Sequence, residues 1–136
     1  MVYRSRHGAR GKYNSQKTPY RDRVYDSKGE AGYAMHLDAL KAAGVIHDWE
    51  PQVPYVLVDV PHPWKLVGRG KVKRPARVKV TLIADFKVWD TPDTYRVIDY
   101  KGAITPVFRL KAALWLAVYP NIPLLIVKAD GTETRV

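Results

Sequence analysis

The chain has 136 residues, a length that suits one domain, and its 23 Lys and Arg against 13 Asp and Glu leave a net charge of +10. A hydrophobic fraction of 46% suffices for a core and excludes wholesale disorder, while no apolar run approaches the roughly 18 residues of a membrane span. The lack of Cys excludes disulfides, Cys-ligated zinc and a thiol nucleophile. With no apolar stretch behind the basic N-terminus, a secretory signal is not expected, and a cytoplasmic location is. The excess positive charge is more than solubility requires and points to a polyanion, nucleic acid above all.

Residues 1–23 read as a basic arm ahead of a domain spanning 24–136. Arg4, Arg6, Arg10, Lys12 and Lys17 lie in it with almost no aliphatic residue, so phosphate contacts are the expected use of these side chains. A short edge strand is expected over 20–26. Ser27-Lys28-Gly29-Glu30 then has the form of a capping box, predicting a helix through Ala43 that ends at Gly44. Its inner face runs Tyr33, Leu37 and Leu40, and Glu30 falls on that same face.

Val45–Val53 and Tyr55–Val60 carry β-branched residues interrupted by Pro51, Pro54 and Pro61, a β pattern with breaks. Residues 61–77 read as a basic Gly/Pro excursion, in which Lys71, Lys73, Arg74 and Arg77 are candidate DNA contacts. Val78–Val88 is predicted as a long strand, 89–93 as a turn and Thr94–Lys101 as another strand. Thr105-Pro106 is an N-cap followed by Pro at N1, opening a second helix to about Tyr119 whose expected apolar face is Val107, Leu110, Leu114 and Val118. Arg109 and Lys111 on that helix are candidate phosphate clamps. An apolar strand over 122–127 and a polar tail from Asp130 complete the chain. The order α-β-β-β-α-β predicts a single-domain α/β fold with a central mixed sheet flanked by helices.

Nucleotide-binding loops, a Ser-centred elbow and His pairs at metal-ligand spacing are all missing. What remains is acidic. Asp85 ends the apolar run Thr81–Ala84, and Asp99 and Lys101 follow Val97-Ile98 on one strand face. Adjacent antiparallel strands would bring the two carboxylates within a few ångströms, which is costly without a neutralising cation. Hard oxygen ligands without His or Cys select Mg²⁺ or Mn²⁺, and a lysine two residues on can hold a phosphate oxygen or help activate water.

This constellation resembles the PD-(D/E)XK nuclease superfamily, with its restriction-endonuclease-like core, over about Asp26–Val127. Within it the chain looks most similar to archaeal-type Holliday junction resolvases and small phage endonucleases. The residues that carry the likeness are Ser27-Lys28-Gly29-Glu30-Ala31, Ile83-Ala84-Asp85-Phe86 and Ile98-Asp99-Tyr100-Lys101-Gly102. Ala84 stands where the motif has Pro, and Asp99 where Glu is commoner. The resemblance implies Glu30, Asp85 and Asp99 as metal-site acids, the Tyr100 carbonyl as a further ligand and Lys101 as the catalytic lysine. It implies endonucleolytic hydrolysis of DNA, of four-way junctions in particular. The two-fold symmetry of a junction implies a homodimer. Two other readings stay open: a non-catalytic basic nucleic-acid-binding protein, and a repair or degradation nuclease indifferent to branching.

Overall fold

The computed structural model describes residues 16–136. Arg21 adopts a left-handed φ of 53°, which closes a two-residue turn between β1 (Thr18–Tyr20) and β2 (Arg23–Tyr25), paired antiparallel. The strand expected over 20–26 is therefore a hairpin, and the expected boundary at 23/24 runs through it. The hairpin is fastened to the following helix, α1 (Lys28–Ala42). Tyr20 donates to Asp38 at 2.6 Å and Arg21 pairs with the same carboxylate at 3.2 Å.

Local signals set both ends of α1. Ser27 Oγ accepts from the Glu30 amide at 3.1 Å, one half of a capping box. At the other end Gly44 has φ 74°; its N–H bonds Lys41 O at 3.0 Å and the Val45 N–H bonds Leu40 O at 2.9 Å, a Schellman ending. Ala31, Ala34 and Leu37 are buried beneath the helix, with Tyr33 and Leu40 packed beside them.

The main sheet is built from β3 (Asp48–Val67), β4 (Arg74–Trp89), β5 (Tyr95–Tyr100), β6 (Leu124–Val127) and β7 (Glu133–Arg135), in that spatial order. β5 and β6 are parallel and the other neighbours antiparallel. The parallel pair is joined through α2 (Pro106–Val118). Thr105 caps α2 by accepting from the Phe108 amide at 3.1 Å. The architecture is a single α/β domain with a mixed sheet between two helices, and the expected α-β-β-β-α-β order is present within it. β7 is an addition: the tail from Asp130 turns back and pairs with β6.

Two cores lie on opposite faces of the sheet, and the neighbours Val97 and Ile98 point one into each. On the α1 side are Tyr25, Leu37, Ile46, Phe86, Val88 and Val127. On the α2 side are Tyr55, Leu57, Leu82, Ala84, Phe108, Trp115 and Leu124. Strict alternation would place Leu82, Ala84, Phe86 and Val88 on one face. Instead the phase changes between Ala84 and Phe86, at Asp85. β3 changes with it: Trp49 packs on the α1 side, Val53 and Tyr55 on the α2 side. The switch in β3 falls at Gln52, a non-glycine residue with φ 56°.

Two further sequence expectations are corrected. Residues 61–77 do not form an irregular excursion: β3 and β4 stay paired out to Val67↔Arg74, leaving only 68–73 as the turn. A two-stranded ribbon has two free outer edges, so prolines within it need not cost a ladder hydrogen bond, and their presence masked the strands. The buried face of α2 is Phe108, Ala112 and Trp115, not the expected one; Val107, Leu110 and Val118 are exposed and Leu114 half-buried. With apolar residues on nearly every side and only Arg109 and Lys111 to break them, the helix offers little contrast by which sequence could pick the inner face.

Candidate active site

Each acid of the site is placed by a different local device. Pairing of β4 with β5 reaches inward to Phe86↔Ile98, so one step further Asp85 stands opposite Asp99. The backbone ladder gives way there to a side-chain bond: Asp85 Oδ2 accepts from the Tyr100 amide at 2.7 Å. Its Oδ1 accepts from Gln52 Nε2 at 3.3 Å. Glu30 comes from the first turn of α1. Among the described residues its carboxylate accepts no hydrogen bond from the Ser27 amide, so the second half of the capping box is not made. The carboxylate is buried instead, with Oε2 lacking any partner.

Asp99 is 2% exposed. Lys101 Nζ lies 2.9 Å from Asp99 Oδ2, a charge contact without hydrogen-bond alignment, since that oxygen has no hydrogen-bond partner. The same ammonium sits 4.4 Å from the centre of the Phe108 ring, which ties Lys101 to α2. Tyr100 packs against the start of α1, where a Cβ on Gly29 would run into its hydroxyl and ring. Gly29 thus leaves the room that the Tyr100 ring occupies between α1 and the end of β5.

The electrostatics follow from three acids sharing little water. Burial chiefly lifts the Glu30 carboxyl from its ordinary 4.5 to about 7, with Asp26 and Asp99 adding to the effect and Lys101 opposing it. Asp85 is raised well above the carboxylate range, first by burial and then by the Asp99 carboxyl beside it, with Glu30 adding. Carboxyls in such a group hold protons near neutrality or require a cation. Among the described residues no three His, Cys, Asp or Glu side chains are drawn close enough to grip one ion as they stand. The donors are nevertheless all hard oxygens, and two buried carboxylate oxygens lack hydrogen-bond partners. That chemistry fits Mg²⁺ or Mn²⁺ rather than a softer metal.

All four residues expected to carry chemistry, Glu30, Asp85, Asp99 and Lys101, are linked here, and the Tyr100 backbone lies among them. Gln52 was not foreseen; its only sequence signal is a polar residue between Pro51 and Val53 in a β-type run. The candidate DNA contacts are dispersed. Arg4, Arg6, Arg10 and Lys12 lie outside the described residues. Lys17, Lys71, Lys73, Arg74 and Arg109 are exposed and Lys111 is half-buried. Lys73 reaches Gly68 O at 3.1 Å, and Arg77 is bound to Asp59 at 3.0 Å and to its carbonyl at 2.8 Å, so Arg77 clasps β3 to β4.

Fold and site together define an α/β domain with an acidic cluster and a lysine gathered where the first turn of α1 meets the middle of β4 and the end of β5. The chain matches, over residues 10–132, the family described as protein of unknown function (DUF1064), and it belongs to that family. A search of the curated proteins finds no match to the chain. No helix among the described residues is long and apolar enough to cross a membrane.

Proposed function

We propose that the protein is a metal-dependent endonuclease that hydrolyses phosphodiester bonds in DNA, with branched DNA such as four-way junctions as its substrate. The observation that carries the reading is the convergence of Glu30, Asp85 and Asp99 with Lys101, three acids whose mutual repulsion a structural role would not require. Glu30, Asp85, Asp99 and the Tyr100 carbonyl would hold Mg²⁺ or Mn²⁺. When bound, the ion supplies Lewis-acid stabilisation of the phosphate and a lowered pKa for water. The Tyr100 N–H and the Gln52 amide fix the orientation of Asp85, and Lys101 exchanges its contact with Asp99 for a phosphate oxygen of the substrate. The net charge of +10 supports a polyanionic partner, and a DNA substrate with a Cys-free chain supports a cytoplasmic location.

The symmetry of a four-way junction calls for a C2 homodimer, and the exposed outer face of α2, with Val107, Leu110 and Val118, is the apolar surface available to a second copy. The deciding experiment is cleavage of end-labelled junction, flap and linear duplex in Mg²⁺, Mn²⁺ and EDTA. Metal-dependent cutting of the junction, faster than of linear duplex, is expected. Equal rates on every substrate would leave a nuclease indifferent to branching. Binding without cutting in either metal would refute catalysis and leave a nucleic-acid-binding protein.

A further inference from the structure

β5 pairs with β4 only from Phe86 to Trp89, and beyond Val58↔Val80 the β3–β4 pair carries no core residue and extends as a two-stranded ribbon. The β4 side, Arg74–Val80, reaches out roughly 20 Å at strand rise. Its charge is one-sided: Lys65, Arg69, Lys71, Lys73, Arg74, Arg77 and Lys79 face a single acid, Asp59, which Arg77 neutralises. A ribbon of this kind is narrow enough to enter the major groove of duplex DNA, about 12 Å wide.

One edge of the ribbon carries a built protrusion. Pro61 pairs with Arg77 and Leu66 with Pro75, so His62–Lys65 bulge out opposite Ala76 alone. The bulge is held by His62, whose Nδ1 accepts from the Trp64 and Lys65 amides at 3.1 and 3.0 Å. Trp64 at its apex is 88% exposed, while the other three tryptophans are buried or half-buried. The indole and the His62 ring stand at a steep angle with centroids 6.1 Å apart, and most of the indole surface stays open to solvent. A large aromatic surface presented on an ordered turn among cations matches the recognition of unstacked bases, where a ring supplies the platform and basic side chains hold the backbone.

We infer that the β3–β4 ribbon is the branch-sensing arm of the protein, and that Trp64 stacks on an unpaired or unstacked DNA base while the ribbon's cations track the flanking phosphates. This rests on the proposal that DNA is the substrate and names what in that DNA is selected. Linear duplex offers phosphates but no free base face away from its ends; a junction or a duplex with an unpaired base offers both.

The test is a fluorescence and binding titration in EDTA with the full chain, using a four-way junction, a linear duplex of the same sequence and a duplex with one unpaired base. Wild-type indole emission is expected to quench on the branched and unpaired-base DNA, and Trp64→Phe to remove that quenching while binding within about threefold of wild type. Trp64→Ala is expected to lose about tenfold or more in affinity for those two DNAs, as for a lost stacking platform, and less than about twofold for linear duplex. An equal loss on all three DNAs would overturn the inference, as would absence of quenching, or quenching by anionic phospholipid vesicles and not by DNA. Because no cleavage is read, the two proposals fail separately. Selective binding without cutting in any metal sinks only the nuclease reading. Junction cutting with Trp64→Ala at full affinity sinks only the arm.

Discussion

The acidic cluster predicts a conflict between function and stability that one substitution exposes. Glu30 is 9% exposed, and its carboxyl titrates near 7 in the fold against an ordinary 4.5. Because the folded value is the higher one, the fold favours the protonated form. The contribution is fully present below about pH 4.5 and is lost as pH rises through about 7. At about 1.4 kcal/mol per tenfold, that gap corresponds to at most about 3 kcal/mol at pH 8. Glu30→Gln keeps the shape and removes the charge. In EDTA at pH 8 it is expected to stabilise the protein by about 1–3 kcal/mol, a rise of about 3–10 °C in Tm for a domain of this size. At pH 4.5 the two proteins should melt within about 2 °C, since both carry a neutral side chain in the fold and the unfolded Glu30 is only half ionised. The assay is thermal unfolding of both chains across pH 4.5–8.5, repeated with Mg²⁺, which should stabilise the wild type more than the variant. A Tm difference that does not grow with pH would refute the argument that burial and the neighbouring acids strain this carboxylate.

Asp85→Asn and Asp99→Asn should each reduce junction cleavage at least about a hundredfold, given the several kcal/mol an ion supplies, while gel-shift affinity in EDTA stays within about threefold. Gln52→Gly suits the left-handed backbone and removes the bond to Asp85, so single-turnover cleavage should fall about 3- to 10-fold without loss of melting temperature; an unchanged rate would remove Gln52 from the site. Gly29→Ala drives a methyl into Tyr100 and should cost about 1–3 kcal/mol in urea unfolding. Wild-type stability in that variant would mean that α1 and the end of β5 approach less closely than described.

What the sequence determines by itself is what short-range chemistry controls. Ser27 and Thr105 each bond an amide three residues on, and Gly44 supplies the positive φ that ends α1, so both helices are legible at their ends. The facing of Asp85 and Asp99 is legible too, because both close apolar runs on strands joined by a short turn. Tertiary structure decided the rest. Which side of α2 is buried depended on the sheet, since Leu, Val, Phe and Trp lie on most sides of that helix and Phe108, Ala112 and Trp115 are the ones buried. The length of the ribbon depended on cross-strand pairing that prolines tolerate at its free edges. The fate of Glu30, a capping residue by local pattern, depended on the apposition of α1 and β5, which turned its carboxylate toward Asp99 and left one oxygen without a partner. Gln52 was invisible for the same reason. Its left-handed φ and the switch of face at Asp85 come from strands that must serve a core on each side of one sheet, a demand that no local pattern encodes.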